Sequence, residues 1–312
     1  MKKKMMIKMT EESVHKTVLL NETIESLNLS GKSLVLDCTF GGGGHSREIL
    51  ERYPNIKIVA LDQDKSAWQK AKNKFKGLEK RILFENKNFR DLDGTKKFDG
   101  IIFDLGLSSD QLENSGRGFS FMKNESLLMT MKENPLPEDL TARDIVNNWS
   151  EENLAKIIYG YGEEKFSRRI ARGITEVRKK KEIETTFDLI KIIEENVPVA
   201  YKRGRLHFAT KTFQALRIAV NDELGTLQIG LQKGFEILNK GGRMSVISFH
   251  SLEDRIVKKF FKEKSNEGRA ILKPARNEFH SGGNKKLTIA KEEEIKNNPR
   301  ARSAKLRVLE KI

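Results

Sequence analysis

The sequence predicts an α/β fold, a mainly parallel sheet flanked by helices, interrupted by an inserted all-helical domain. Short apolar runs alternate with helical patterns as far as residue 104, and a glycine-rich turn follows the first of these runs directly. After residue 111 no segment has the pattern of a central strand for about a hundred residues. The 312-residue chain is long enough for one large or two moderate domains.

The first third of the chain has the pattern of a parallel strand and helix series. Each short apolar run precedes a helical pattern, and such units form parallel sheets with right-handed connections. The predicted elements are β1 at 34–37, a helix after His45, β2 at 57–61, a helix at 65–75, β3 at 81–85 and β4 at 98–104.

The middle of the chain is predicted to be helical. Amphipathic patterns cover 151–159, 164–180 and 186–196, and the last two begin after turn or capping residues. We therefore expect an inserted helical domain at 112–206, a candidate for substrate recognition. The parent domain would then be discontinuous, formed by 1–111 and 207–312.

The parent fold is predicted to resume at residue 207. A helical stretch at 207–239 ends at two glycines, Gly241 and Gly242, before β5 at 243–249 and a helix at 251–262. Segments 269–273 and 305–309 can close the sheet as a hairpin. Residues 277–298, which are rich in Gly, Asn, Lys and Glu, are expected to form a mobile loop.

The glycine loop after β1 indicates a nucleoside-binding site. Four consecutive glycines, Gly41 to Gly44, let a ligand approach the backbone closely, and four in a row cost entropy that a plain turn would not require. Asp62 ends β2 eighteen residues after Gly44, where such folds place an acid that binds the ribose hydroxyls.

The spacing within the loop favours S-adenosylmethionine over a dinucleotide. The pattern Asp37-x-x-x-Gly41-x-Gly43 is typical of methyltransferases, whereas a dinucleotide fingerprint beginning at Gly41 requires Ser46 as its third small residue. Two alternatives stay open on this motif, an NAD-dependent oxidoreductase and a tight turn without a ligand. The sequence offers no convincing pair of residues for hydride transfer.

The positive charge lies mainly in the C-terminal fifth of the chain. The net charge is +15, and residues 255–312 hold 17 Lys and Arg against 7 acids, whereas residues 105–211 hold 18 against 17. A basic stripe is the electrostatic footprint of a protein that binds nucleic acid. Solubility alone, or a noncatalytic role in ribosome assembly, would also account for a basic surface.

The composition bounds the compartment and the chemistry. No apolar stretch approaches the roughly 20 residues needed to cross a bilayer, and residues 1–4 lack the apolar region of a signal peptide, so we expect a cytoplasmic protein without a membrane partner. Cys38 is the only cysteine, and the five histidines lack ligand spacing. The expected chemistry therefore uses an organic cofactor and no metal.

Motifs along nearly the whole chain resemble the family of ribosomal RNA small subunit methyltransferase H. Their order and spacing are more specific than any one of them. They are HKTVLL at 15–20, TFGGGGHS at 39–46, DLGLSSDQL at 104–112, RGFSF at 117–121, GEEKFSRRIA at 162–171, ATKTFQALRIAVN at 209–221, SFHSLEDR at 248–255 and NPRARSAKLR at 298–307.

This resemblance implies a Rossmann-like S-adenosylmethionine-dependent methyltransferase fold with a helical insert. It also implies methylation of the exocyclic N4 amine of a cytidine in 16S rRNA, with the RNA or the small ribosomal subunit as partner. The oligomeric state stays open, a dimer included. The chain departs from the family pattern where Pro-Leu-Asp-Met-Arg-Met-Asp is usual, since Leu128, Thr130 and Lys132 replace the charged positions.

The predicted cofactor site combines both lines of reasoning. Gly43 and Gly44 would admit the methionine part of the cofactor, and Asp62 would bind its ribose. The resemblance adds four residues that would contact the cofactor. Three of them have a structural alternative: Phe89 could be an ordinary core residue, His45 a helix-start residue and Gln111 a polar loop residue. These four are His45, Phe89, Asp104 and Gln111.

Asp104 is also the candidate catalytic residue. The lone pair of a cytosine amine is delocalised into the ring, so an acceptor that makes the nitrogen pyramidal would promote its attack. Asp104 and the carbonyl of Leu105 hold the place where amino-methylating enzymes put such groups, without the usual Pro-Pro-aromatic sequence. Cofactor binding, orientation of the amine, or both are open roles, and a full general base is not required.

Three groups of residues are predicted to contact RNA. A basic helix at 165–181, which carries Arg178 beside three further arginines, is the principal candidate, with a solvated helix face as its alternative. A second basic strip lies near residue 300, and two polar residues follow β5 at the edge of the cleft. We expect phosphate contacts combined with a flipped-out target base. The residues are Arg168, Arg169, Arg172, His250, Ser251, Arg300 and Arg302.

Overall fold

The computed structural model describes residues 16–274 and 287–312, and its centre is one mixed β-sheet. The strand order is β3-β2-β1-β4-β5-β8-β6, and β7 also pairs with β8. The strands are β1 (Leu34–Asp37), β2 (Lys57–Leu61), β3 (Ile82–Glu85), β4 (Phe98–Asp104), β5 (Leu238–Ser248), β6 (Ala270–Lys273), β7 (Thr288–Ile289) and β8 (Lys305–Lys311).

The parallel part of the sheet confirms the predicted series. β1, β2 and β4 have the predicted bounds, and β1 lies between β2 and β4 in parallel register. The order of the strands reverses at β1 and β4, and ligands of such sheets bind beyond the carboxyl ends of the strands at this point. Antiparallel β8 closes the far side against β5 and β6, as the predicted hairpin required.

Thirteen α-helices are present in the described residues. They are α1 (Leu20–Ser26), α2 (Gly44–Arg52), α3 (Lys65–Ala71), α4 (Ser109–Asn114), α5 (Ala142–Asn148), α6 (Glu151–Gly160), α7 (Ser167–Arg178), α8 (Thr186–Asn196), α9 (Val199–Lys202), α10 (Thr210–Asn221), α11 (Glu223–Ile237), α12 (Ser251–Asn266) and α13 (Glu292–Asn297). α7 is shorter than the predicted helix, which was given as 164–180 from the amphipathic pattern and as 165–181 from the basic residues. Phe166 is its N-cap and Lys179 its C-cap. None of these helices is long and apolar enough to span a membrane.

The helical stretch predicted at 207–239 is two helices rather than one. α10 and α11 meet at Asp222, which has the left-handed φ of +44° and ends the first helix. Residues 239–242 then leave the β4–β5 ladder, since the pairing moves from Phe98 and Leu238 to Gly100 and Arg243. The predicted glycine stop therefore lies in a bulge within β5.

The prediction of a loop at 277–298 is wrong for its second half. Residues 275–286 lie outside the described part of the chain, but β7 and α13 follow them. α13 has a long-range contact, since Glu294 Oε1 accepts a hydrogen bond of 2.7 Å from the backbone N–H of Leu19.

The helices between residues 112 and 206, which we call the insert, have an apolar core of their own, distinct from the buried clusters on the two faces of the sheet. Ile145, Leu154, Ile170 and Leu189 are fully buried there, on α5, α6, α7 and α8. Between residues 112 and 206, all of which are described, the only β-type pairing is a bridge between Ser126 and Thr185. The same core includes Phe213 and Leu216 of α10, so it continues past residue 206.

Candidate active site

A deep cleft lies at the carboxyl ends of β1, β2 and β4. It encloses about 1240 Å³ of empty space, part of it open to solvent. Six of the seven predicted cofactor residues line it, although they come from four separate segments of the chain. They are Gly44, His45, Asp62, Phe89, Asp104 and Gln111.

Gly43 is the exception, because it turns away from the cleft. Its φ is +73°, and a Cβ there would meet the Phe40 and Phe75 rings at 2.7 and 2.8 Å. Its N–H donates to the carbonyl of Phe40 at 2.7 Å. Gly43 therefore shapes the loop against an aromatic cluster, while Gly41, Gly42 and Gly44 lie on the side of the cleft.

Gly44 admits a second segment of the chain, which we call the N-terminal strap, residues 16–19. A Cβ at Gly44 would lie 1.8 Å from Thr17 Oγ1, so only glycine allows this approach. Lys16, Thr17 and Val18 line the cleft. The strap is fastened from the C-terminal side, since Asn298 Nδ2 donates to the Lys16 carbonyl at 2.8 Å and Glu294 accepts from Leu19.

Asp62 lies at the edge of the cleft, and backbone donors hold its carboxylate. Oδ2 accepts from Gly41 N at 2.7 Å, and Oδ1 accepts from Asp64 N at 2.8 Å. Burial raises the pKa of Asp62 to about 6. Each carboxylate oxygen has a second lone pair, so Asp62 can bind the glycine loop and still accept a bond from a ligand hydroxyl.

Asp104 and His45 form the floor of the cleft. Asp104 Oδ2 lies 3.7 Å from Nδ1 of the buried His45, and the Asp104 N–H donates to Thr39 Oγ1 at 2.6 Å. Buried Oδ1 has no hydrogen-bond partner among the described residues. Burial and the nearby charges of Asp37 and Glu253 raise the pKa of Asp104 to about 8. Near neutral pH this carboxyl is therefore mostly protonated.

Two further acids, Asp37 and Glu253, lie near Asp104 and are more deeply buried than it is. Asp37 accepts from Ser46 Oγ at 2.6 Å, which ties β1 to α2, and burial raises its pKa to about 6. Burial alone would raise the pKa of Glu253, but its hydrogen bond with His250 and the Arg217 charge hold that pKa below its usual value. Together these groups form a buried acidic floor that favours a cationic ligand.

Phe89 and Gln111 both line the cleft, and both also have the structural contacts that were the alternative prediction for them. The Phe89 ring lines the cleft and also packs edge-on against Phe103, with centroids 5.3 Å apart. Gln111 closes the capping box of α4 with Ser108, and its Nε2 faces Asp64 Oδ2 at 3.5 Å. The core and the cofactor readings are thus not exclusive.

The exposed face of α7 carries the predicted arginines. Arg168, Arg169 and Arg172 are all exposed, and the Arg169 guanidinium lies 5.8 Å from the Phe166 ring centroid. Arg178 has a different position, because its Nη1 donates to the Val146 carbonyl at 2.8 Å within the insert. It is part of the packing of the insert, not of the exposed basic face.

The other predicted RNA residues divide into exposed and internally bonded ones. Arg302 is exposed, whereas Arg300 lines the cleft, bonds Ser109 and donates to Glu113 at 3.0 Å. Arg302 is therefore the more exposed of these two arginines, and Arg300 is partly buried by its contacts with α4.

The two polar residues after β5 have internal partners. Nδ1 of His250 accepts from the Glu253 N–H at 3.4 Å and caps α12. The Ser251 hydroxyl donates to Glu163 Oε2 at 2.8 Å, which joins α12 to the insert. Both residues thus have structural roles, which had not been predicted for them.

A family model for MraW methylases matches residues 12–312. The chain belongs to the MraW methylase family. The resemblance seen in the motifs is thereby confirmed, and the alternative of an NAD-dependent oxidoreductase is rejected. As an MraW-family methylase, the protein takes S-adenosylmethionine as its cofactor, and its sheet with flanking helices is the Rossmann-like methyltransferase fold.

The chain also matches solved structures of methyltransferases at low sequence identity and low TM-score. An rRNA methylase from Streptococcus thermophilus is 11% identical with a TM-score of 0.41, and 94% of each chain is covered. NSun6 from Pyrococcus horikoshii, solved with SFG, is 12% identical with a TM-score of 0.48; the match covers 95% of this chain and 52% of that one.

In this MraW-family methylase the divergent segment 126–132 lies at the rim of the cleft. Met131 lines the cleft, and its N–H donates to Asn221 Oδ1 at 2.8 Å. Thr130 is buried, and Lys132 forms an ion pair with Asp139. The three replaced positions, Leu128, Thr130 and Lys132, do not themselves line this cleft, although Met131 between two of them does.

Sequence reasoning missed several residues of the MraW methylase site. Thr39, Glu253 and Asn221 line the cleft, and the only sequence signal for them was their place in the family motifs at 39–46, 248–255 and 209–221. Arg117 and Asp64 form a buried ion pair of 2.7 Å between the insert and the loop after β2. The RGFSF motif that contains Arg117 was the only available signal.

Proposed function

We propose that this enzyme methylates the exocyclic N4 amine of a cytidine in the 16S rRNA of the small ribosomal subunit. The observation that carries the proposal is Asp104 at the end of β4, with a buried oxygen that lacks a partner among the described residues. Such an oxygen is an acceptor for an N–H of the incoming amine. The family match supports methyl transfer as the reaction.

The cleft fits the cofactor, and its residues suggest how it would be held. Asp62 would accept from the ribose hydroxyls, Phe89 would lie beside the adenine, and the backbone near Gly44 would meet the methionine part, with Gln111 at the rim. His45 would support Asp104. When bound, S-adenosylmethionine supplies an electrophilic methyl group on a positively charged sulfur, which suits the buried acidic floor.

Asp104 would promote the reaction by orienting the nucleophile. In its ionised form the carboxylate accepts an N–H of the amine, which favours a pyramidal nitrogen whose lone pair is available for in-line attack. Leu105, which follows Asp104, also lines the cleft and provides a neighbouring carbonyl. Positioning of this kind accounts for a large part of the rate in displacement reactions. A strong general base is not needed, because the proton can leave after the transfer.

The basic face of α7 would bind the phosphates of the RNA. Arg168, Arg169 and Arg172 are exposed on the insert, and Arg302 offers a further charge near the cleft residue Arg300. We keep residues 112–206 as the proposed recognition domain, with the target base flipped into the cleft. A ribosomal substrate would place the reaction in the cytoplasm, and a dimer is compatible with the proposal.

Methylation of purified RNA tests the proposal directly. Small subunits and 16S rRNA from cells that lack the protein are incubated with enzyme and cofactor, and their nucleosides are separated beside N4-methylcytidine and 5-methylcytidine standards. We expect N4-methylcytidine to be the only methylated nucleoside that the wild-type enzyme forms. At short reaction times, Asp104→Asn should form no detectable N4-methylcytidine. If 5-methylcytidine forms, the amine is not the acceptor; if no nucleoside is methylated, a noncatalytic assembly role is favoured.

A further inference from the structure

Arg117 is a buried cation that joins the helical insert to the cofactor cleft. It is 7% exposed, and its Nη2 lies 2.7 Å from Asp64 Oδ2, an ion pair in which both side chains are buried. Its Nη1 donates to two consecutive carbonyls, those of Met131 at 2.9 Å and Lys132 at 2.8 Å. One guanidinium thus fixes a loop of the parent domain and a segment of the insert.

In the parent domain, the partner of Arg117 is Asp64, which lies two residues after Asp62, the acid proposed to bind the ribose. Asp64 caps α3 by accepting from Ser66, and its own N–H donates to Asp62 Oδ1 at 2.8 Å. Although burial raises the pKa of Asp64, the hydrogen bonds from Ser66 and Arg117 hold that pKa below its usual value. Asp64 therefore stays ionised, and the loop that carries Asp62 is anchored.

On the side of the insert, the same guanidinium holds the wall of the cleft. Asn221, at the end of α10, accepts from the Met131 N–H and donates to the Met129 carbonyl, both at 2.8 Å. α10 contributes Phe213 and Leu216 to the core of the insert. The contacts therefore run without a gap from the core of the insert through Arg117 to Asp62.

We infer that Arg117 is a positioning residue that sets the affinity for the cofactor by holding the loop of Asp62 and Asp64 against the helical insert. Among the described residues, those that line the cleft do not include Arg117, so its effect on the cofactor is indirect. Removing one partner of a buried ion pair leaves the other charge uncompensated, and the freed loop then moves to solvate it. The inference rests on the proposed assignment of Asp62 to the ribose.

The test measures binding of S-adenosylhomocysteine by calorimetry, together with the unfolding temperature of each variant. Arg117→Met is compared with Arg178→Met. The second substitution removes the hydrogen bond from Arg178 to the Val146 carbonyl, which lies within the insert, and Arg178 does not line the cleft. We expect Arg117→Met to weaken binding at least tenfold and Arg178→Met less than twofold, even where both lower the unfolding temperature equally. Asp64→Asn, which keeps an N-cap, should weaken binding too, and the double variant should be no worse than Arg117→Met.

Equal affinities in Arg117→Met and Arg178→Met would overturn the inference. If Arg117→Met does not fold, Arg117→Lys, which keeps the charge but not the fork to two carbonyls, replaces it in the same comparison. Asp62→Ala separates the two proposals. If Asp62→Ala binds normally, the ribose assignment fails and this inference with it; if only Asp62→Ala weakens binding, the role of Arg117 alone is overturned.

Discussion

Asp104 Oδ2 and His45 Nδ1 face each other at 3.7 Å on the floor of the cleft, where the Asp104 side chain is partly buried. Its pKa of about 8 arises from burial and from two neighbouring carboxylates, Asp37 and Glu253. A cation placed beside this carboxyl would favour its charged form. The protonation state of Asp104 should therefore affect both the affinity for the cofactor and the stability of the folded protein.

Binding of S-adenosylmethionine should release a proton near pH 7. The unliganded Asp104 is mostly protonated, and the positive sulfur favours its ionised form, so affinity should increase from pH 6 to about pH 8 and then level off. Calorimetry in buffers of different ionisation enthalpy measures the release, up to about one proton per site. S-adenosylhomocysteine, whose sulfur is neutral, should release less. Equal release by Asp104→Asn would exclude this side chain as the source.

Asp104→Asn should stabilise the unliganded protein at alkaline pH. Between the unfolded pKa of an aspartate and about pH 8, the folded state retains a proton that the unfolded state has lost, so the wild type loses stability as the pH rises. The slope can reach about 1.4 kcal/mol per pH unit. Thermal unfolding at pH 5 and pH 8.5 should show a gain for the variant that is larger at pH 8.5. A constant difference at both values would contradict the raised pKa.

The same substitution should slow methyl transfer. At saturating cofactor and RNA, Asp104→Asn should lower the single-turnover rate roughly 10²–10⁴-fold, since the variant keeps the shape and one acceptor oxygen but not the charge that orients the amine. Rapid-quench measurement of labelled methyl transfer determines the rate. A rate equal to that of the wild type would leave Asp104 only a role in binding the cofactor.

Asp62→Ala should weaken S-adenosylmethionine binding by about 1–3 kcal/mol, the scale of a lost charge-assisted hydrogen bond. The alanine also removes the two carboxylate oxygens that accept hydrogen bonds from the backbone N–H groups of Gly41 and Asp64. Asp62→Asn is therefore the matched variant, because it retains one acceptor oxygen. Calorimetry should place Asp62→Asn between the wild type and Asp62→Ala. Unchanged affinity in a folded Asp62→Ala protein would remove this residue from the site.

Removing two arginines from α7 should reduce the salt dependence of RNA binding. If Arg168 and Arg169 each contact a phosphate, their replacement by Ala should lower the slope of log affinity against log salt by about two units. Lys179 and Lys180, also exposed but at the other end of the helix, provide a control with the same change of charge. An equal effect of both double variants would indicate general attraction and not a defined contact.

The features predictable from the sequence are those encoded by local patterns. β1, β2 and β4 were predicted with their bounds because each apolar run ends on a polar residue or turn, and Thr185 marks the start of α8 with a capping box. Gly44 and Asp62 were predicted to share a cleft because glycine loops and strand-end acids have fixed spacings, whereas His45, Phe89, Asp104 and Gln111 were predicted from the family resemblance. Gly43 shows the limit, because its aromatic neighbour Phe75 is set by tertiary packing.

What the sequence did not predict depends on contacts between distant segments. Asp222 breaks the helical stretch at a left-handed φ that no local residue requires. Arg117 meets Asp64 across 53 positions, and Arg300 meets Ser109 across 191. Charge patterns cannot show whether an arginine is solvated or internally bonded, which is why Arg300 and Arg178 were grouped with exposed cations.

The N-terminal strap has a consequence for the order in which this enzyme matures. Leu19 is held by Glu294 and Lys16 by Asn298, partners that follow them by 275 and 282 positions. Contacts of such separation are among the last to form, because a long loop must close before they are rewarded. During synthesis these two contacts therefore cannot form before residues 294 and 298 have been translated.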